Sequence, residues 1–151
     1  MDIDFFMSKA LEQAEQASIN REVPIGAILV DNFTHKIVSR GYNSINSMYN
    51  SINHAEILVI NNACKKRKNK FLINTTLFVT LEPCAMCASA ISEVRISKIY
   101  FGAYDQKKGS LESIMQIYKE KHFFVPEVYG GFKEKECSLL LKNFFIKLRN
   151  K

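Results

Sequence analysis

The sequence predicts an α/β fold with a central sheet. Three observations lead there. Short apolar or β-branched runs alternate with segments whose apolar residues recur every three or four positions. Pro and Gly punctuate the boundaries between them. No internal repeat, low-complexity tract or linker divides the 151 residues. One domain, residues 1–151, is therefore expected.

Each element has its own signal. Ile3, Phe6, Met7, Ala10, Leu11 and Ala14 predict an amphipathic helix, with Asp2 or Asp4 available as its cap. Pro24 to Val30 predicts a buried strand. Asp31-Asn32 begins a turn, and Lys36 to Tyr42 predicts the hairpin partner. Tyr42 to Asn53 is polar and loop-like. From His54 to about Lys66, Ile57, Leu58 and Ile60 to Cys64 supply an apolar helix face. Thr76 to Leu81 is a β-branched strand. Pro83 breaks it, and Cys84 to about Val94 predicts another helix. Lys98 to Gly102 is a strand, Leu111 to about Lys119 a helix, and Val125 to Tyr129 a short extended piece before the turn Gly130-Gly131. Glu134 to Leu148 predicts a terminal helix with Cys137, Leu140, Leu141, Phe144, Phe145 and Leu148 in phase.

Composition excludes several classes. Apolar residues make up 47% and charged residues 24%, a globular balance. No apolar run approaches the ~20 residues of a membrane helix. Met1-Asp2-Ile3-Asp4 is acidic where a signal peptide is basic. No membrane partner, secreted disulfide scaffold or coiled coil is expected, and the expected location is the cytoplasm. The net charge of +6 favours a polyanionic partner without establishing one. The run Lys65-Lys66-Arg67-Lys68-Asn69-Lys70 has two readings. It is a helix C-terminus with cations that suit the dipole, or a phosphate contact.

The chemistry lies in His54-Ala55-Glu56 and Pro83-Cys84-Ala85-Met86-Cys87. One imidazole and two thiolates are zinc ligands of the right softness. A structural zinc site closes with four protein ligands, and no convincing fourth is found. His35 and His122 lie in polar or turn segments. Cys64 and Cys137 fall on apolar helix faces, where cysteine behaves as a small hydrophobe. Three ligands leave a position for water, the catalytic pattern. Cys84 and Cys87, at a helix start, share a face, and the helix end stabilises thiolates. At the start of the other helix His54 can bind metal while Glu56 faces the pocket without ligating. Zinc brings the pKa of bound water near neutrality, and Glu56 can take that proton and pass it to a leaving nitrogen. H-x-E alone is weak, and C-x-x-C alone could be redox. Together, with Pro before the first Cys, they form the signature of zinc-dependent nucleobase deaminases.

Nearly end to end, the chain resembles the bacterial tRNA-specific adenosine deaminases. The resemblance rests on Arg21-Glu22-Val23-Pro24-Ile25-Gly26-Ala27, Gly41-Tyr42-Asn43, His54-Ala55-Glu56-Ile57 and Thr80-Leu81-Glu82-Pro83-Cys84-Ala85-Met86-Cys87. It continues through Phe101-Gly102-Ala103-Tyr104-Asp105, Glu136-Cys137, Leu140-Leu141 and Phe144-Phe145. It implies a three-layer cytidine-deaminase-like fold, with a central five-stranded mixed sheet flanked by helices. It also implies a homodimer with one Zn2+ per subunit. The implied reaction is hydrolytic deamination of adenosine to inosine at the wobble position of a tRNA anticodon stem-loop, that of an arginine tRNA, with the base flipped into the pocket. By motif match His54, Cys84 and Cys87 bind zinc and Glu56 shuttles protons. Asn43 hydrogen-bonds the adenine, Asp105 contacts RNA beside the target, and Phe144, Phe145 and Arg149 belong to a terminal helix against the anticodon loop.

Rival readings remain for several of these. Asn43 is also a plausible turn residue, and Asp105 a cap for a following helix. Phe144 and Phe145 project about 100° apart, so one is expected in the core and at most one at the substrate. Glu82 can serve simply to brace the loop before Cys84. Asn50-Ser51-Ile52-Asn53 replaces the family's usual Asp-Pro-Thr-Ala, Tyr104 replaces an Arg, and Ile146, Lys147 and Leu148 stand in a helix that is often Arg-rich. These departures bear on RNA contact, not on zinc. The alternative activity is deamination of a free base or nucleoside such as guanine, cytosine or cytidine. A non-catalytic zinc-binding module would need a fourth protein ligand, or loss of the Glu56 role.

Overall fold

Asp2 starts the first helix, α1 (Ile3–Ile19), by accepting a hydrogen bond from the Phe5 amide at 3.1 Å. It is the first element of a computed structural model that describes residues 1–150. There follow β1 (Gly26–Asp31), β2 (Ile37–Tyr42), α2 (Ala55–Arg67), β3 (Thr75–Leu81), α3 (Ala85–Glu93), β4 (Lys98–Ala103), β5 (Glu127–Tyr129) and α4 (Glu134–Arg149). A 3-10 turn, Ile117–Lys119, lies between β4 and β5.

The five strands form one sheet in the order β2-β1-β3-β4-β5. β1 runs antiparallel to β2 and β3, whereas β3, β4 and β5 run parallel. This is the mixed five-stranded sheet that the resemblance implied. β1 and β3 are central and buried on both faces, which is why they read as continuous apolar or β-branched runs and not as alternating ones. On one face Leu29, Leu77, Val79, Ile99 and Phe101 pack against Val59, Ile60 and Ala63 of α2 and Ala88 and Ile91 of α3. On the other, Ile28, Val30 and Phe78 pack against Phe6, Met7 and Ala10 of α1 and Cys137 of α4. The result is three layers, helices on both sides of the sheet. Gly26 lets α1 approach: a Cβ there would collide with the Ala10 carbonyl oxygen and the Ala14 amide.

The structure departs most from the sequence reading at three places. β1 starts at Gly26, not Pro24, because Pro24 has no N–H to give a sheet ladder. β5 starts after Pro126 and has three residues. The helix expected over Leu111–Lys119 is replaced by turns and the short 3-10 segment. The amides of Leu111, Glu112 and Ser113 donate instead to one carboxylate oxygen of Glu82. The amides that follow turn back further than a helix allows: those of Ile114 and Met115 donate to the Gly109 carbonyl and that of Ile117 to the Ser110 carbonyl, five to seven residues back and not four.

Candidate active site

The site forms where the N-termini of α2 and α3 meet. His54 is the N-cap residue of α2, yet its side chain makes no capping bond. Asn43, at the end of β2, supplies the cap instead: its Oδ1 accepts from the Ala55 amide at 2.9 Å. The imidazole is thereby free to face α3. Cys84 is the N-cap residue of α3, also without a side-chain cap bond, and Cys87 lies in the first turn. His54 Nδ1 stands 3.8 Å from Cys84 Sγ and 3.6 Å from Cys87 Sγ. All three ligand atoms lie within 4.8 Å of one another. Tetrahedral zinc, with Zn–S of about 2.3 Å and Zn–N of about 2.0 Å, separates nitrogen from sulfur by about 3.5 Å. The cluster therefore fits the ion.

The remaining candidate ligands are elsewhere among the described residues. Cys137 is buried beneath Gly102, whose Cβ would collide with its sulfur, and Cys64 is half-buried against the α2 side of the core. His35 sits in a left-handed turn and His122 stacks on Phe123 with ring centres 4.2 Å apart. His54, Cys84 and Cys87 thus make a three-ligand group, which leaves a tetrahedral ion one open position.

The electrostatics follow from this crowding. Hydrogen bonding with Cys87 and with His54 pushes the Cys84 thiol down to about 3. The same sulfur–sulfur hydrogen bond pushes Cys87 up, and the bond to Cys84 raises His54. Glu56 is only 4% exposed, and burial pushes its carboxyl up to about 7.

A cavity of about 520 Å³ opens over these groups. Asn43, His54, Glu56 and Cys84 line its polar part, and Val23, Ile25, Leu81, Leu141 and Phe145 its apolar wall. Tyr104, Asp105, Lys107 and Lys108 also line it. Its volume suits a nucleobase with its sugar.

The structure brings most of the singled-out residues to this cavity, but not all. Asn43 both lines it and caps α2, so its two readings coexist. Asp105 lines it while its Oδ1 accepts from the Lys107 and Lys108 amides at 3.0 and 3.2 Å. It caps a turn and not a helix. Phe145 reaches the cavity and Phe144 does not. The expectation that one of the pair enters the core is not met: Phe144 is half-buried and Phe145 43% exposed, because Cys137 is the buried residue of α4 among those described. Arg149 is exposed at the far end of α4 and does not line the cavity. Glu82 braces the segment from Asp105 to Ser113, not the loop before Cys84. Lys107, Lys108 and Leu141 line the cavity without having been predicted as site residues; the signal for the two lysines is their place two and three residues after Asp105. The basic run behaves largely as a helix end. Arg67 pairs with Asp31 at 2.5 Å, Lys66 donates to the Val38 carbonyl at 3.2 Å, and Lys70 lies over the Phe71 ring.

Fold and site together define a zinc-dependent deaminase. Residues 1–103 match the family model of the cytidine and deoxycytidylate deaminase zinc-binding region, and the chain belongs to that family. Within it, the chain groups with the tRNA-specific adenosine deaminases. It is 43% identical over 145 residues to the tRNA-specific adenosine deaminase of Rickettsia bellii (strain RML369-C), across 95% of this chain and 100% of the relative. It is 42% identical over 149 residues to that of Bacillus subtilis (strain 168), across 98% and 91%. A solved structure from biochemical and structural studies of A-to-I editing by tRNA wobble-position deaminases superposes with a TM-score of 0.87 at 40% identity, covering 91% of this chain and 99% of that one. The guanine deaminase of Nitrosomonas europaea shares the fold, with a TM-score of 0.79 at 18% identity over 93% of this chain and 83% of that one.

Proposed function

We infer that this chain is a zinc-dependent enzyme that hydrolyses adenosine to inosine at the wobble position of a tRNA anticodon. One observation carries the chemistry: an imidazole and two thiol groups spaced to hold zinc, beside a buried carboxyl, in a cavity of nucleoside size. Zinc held there by His54, Cys84 and Cys87 supplies Lewis acidity that activates water at neutral pH. The chain's own residues do the rest. Glu56, raised toward neutrality by burial, accepts the proton of the attacking water and delivers it to the departing C6 nitrogen. Adenosine and water give inosine and ammonia. Asn43 has committed its Oδ1 to Ala55, which leaves its amide nitrogen to donate to the base. Val23, Ile25 and Leu81 hold the ring and displace solvent.

The substrate reading is supported by the relatives and by exposed Lys107 and Lys108 at the cavity, which a free base would not need. We take an arginine tRNA as the substrate. The test is a deamination assay on the zinc-loaded protein, with an arginine tRNA anticodon stem-loop carrying wobble adenosine beside free adenosine, cytidine, cytosine and guanine. Inosine is expected in the stem-loop alone. Turnover of a free base or nucleoside with the RNA left intact overturns the tRNA reading.

Phe145, at the cavity, is positioned to stack on a nucleobase, whereas Phe144 lies outside. Base–aromatic stacking is worth ~1–3 kcal/mol, so Phe145→Ala is expected to raise KM for the stem-loop roughly 5- to 150-fold. Phe144→Ala is expected to raise it less. Steady-state kinetics on both variants checks this, and the reverse order would remove Phe145 from the RNA surface.

We also propose a homodimer located in the cytoplasm. Met48, Ile52 and the 96%-exposed Tyr49 place apolar surface on the loop joining Asn43 to His54, which supports a partner subunit next to the site. Sedimentation of a species with twice the chain mass is expected; a monomer at micromolar concentration overturns the dimer. All four cysteines are free, as a reducing compartment keeps them, and among the described residues no helix is long and apolar enough to cross a membrane.

A further inference from the structure

Glu82 stands one residue before Pro83 and two before the zinc-ligand candidate Cys84, and it is 2% exposed. Its carboxylate is an acceptor for five donors from a single stretch of chain. Oε1 accepts from the Asp105 amide at 3.1 Å and the Ser113 hydroxyl at 2.5 Å. Oε2 accepts from the amides of Leu111, Glu112 and Ser113 at 3.2, 2.8 and 3.0 Å. Gly109 packs directly on this carboxylate, where a Cβ would collide. The stretch from Asp105 to Ser113 has no helix or strand of its own, so its shape depends on bonds of this kind.

That stretch carries Lys107 and Lys108. Both are exposed, both line the cavity, and among the described residues neither is ion-paired. Asp105 turns the backbone beneath them by accepting from both their amides. The carboxylate therefore joins two things otherwise far apart in the sequence: the strand end leading into the metal cluster, and two unpaired cations at the cavity.

We propose that Glu82 is a positioning residue that holds Lys107 and Lys108 against the RNA phosphates flanking the wobble nucleotide. The proposal rests on the tRNA reading above. It places phosphate binding on a loop whose register to the metal is set by one side chain. Glutamine cannot substitute, because either orientation of its amide turns an NH2 toward backbone donors.

The test is a double-mutant cycle on the Glu56→Ala background, so that RNA is bound but not converted. Binding of the anticodon stem-loop is titrated over a salt series for the zinc-loaded protein, for Lys107→Ala with Lys108→Ala, for Glu82→Gln, and for all three changes together. Removing two phosphate contacts should lower the slope of log Kd against log salt by about 1.4. Glu82→Gln should reproduce most of that loss with zinc content unchanged, and adding the lysine changes to it should weaken binding less than about twofold further. Ser113→Ala, which removes one of the five donors, should give a partial loss and serves the same comparison if Glu82→Gln does not fold. A full salt slope in the Glu82 and Ser113 variants, or losses that multiply in the combined variant, overturns the role of Glu82. A parent protein that does not bind the stem-loop overturns the tRNA reading itself, and the proposal with it.

Discussion

Glu56→Ala is expected to keep its zinc and to lower kcat on the stem-loop by at least ~10²-fold, the lower end for a positioned acid–base group. Glu56 lies outside the three-atom ligand group yet lines the same cavity, so its loss leaves the metal's donors intact. An ordinary carboxylate holds its proton too weakly to return it to a leaving nitrogen, whereas burial brings this one to about 7. Glu56→Gln preserves the side-chain shape and should lose as much as Glu56→Ala, since only proton transfer differs. Stem-loop binding should change little, because the lost interaction belongs to the transition state. Metal analysis and single-turnover inosine formation check both halves. A zinc-free Glu56→Ala protein would make Glu56 a ligand, and a near-normal rate would remove it from the chemistry.

The candidate site was legible because its signals are local. A candidate metal ligand and the carboxyl beside it are two residues at the start of one helix, and Pro83 marks the start of the other. Where a bond joins distant residues, periodicity misleads. Leu111 to Lys119 carries a helical pattern, but a carboxylate far upstream takes its first three amides and the next ones turn back to the carbonyls of Gly109 and Ser110. The terminal helix shows a second limit. Leu140, Leu141, Phe144, Phe145 and Leu148 mark an apolar face correctly, yet Phe145 and Leu148 stay exposed. Periodicity reports which face is apolar and not how far the sheet beneath it extends. The basic run shows a third. Its charge is plain in the sequence, but that Arg67 is held by Asp31 depends on how α2 crosses β1.

Cys84→Ser is expected to lose stoichiometric zinc and to melt at a lower temperature. A serine hydroxyl stays protonated at neutral pH and is a harder donor than thiolate, so the ion is left with His54 and Cys87. Changing even a residue that only supports a ligand costs about 10- to 100-fold in metal affinity, so removing a ligand should exceed that. Stability follows because the cluster ties two helix starts together: a metal that binds only the folded chain adds its binding free energy to folding. Chelation of the unaltered protein should therefore lower Tm, and further chelation of Cys84→Ser should not. Cys64→Ser, at a half-buried sulfur outside the cluster, should retain zinc and the chelator response. That contrast separates loss of a ligand from loss of a packed side chain. Cys84→Ser holding one tightly bound zinc per chain would show that His54 and Cys87 suffice, and the three-ligand reading of the site would fall.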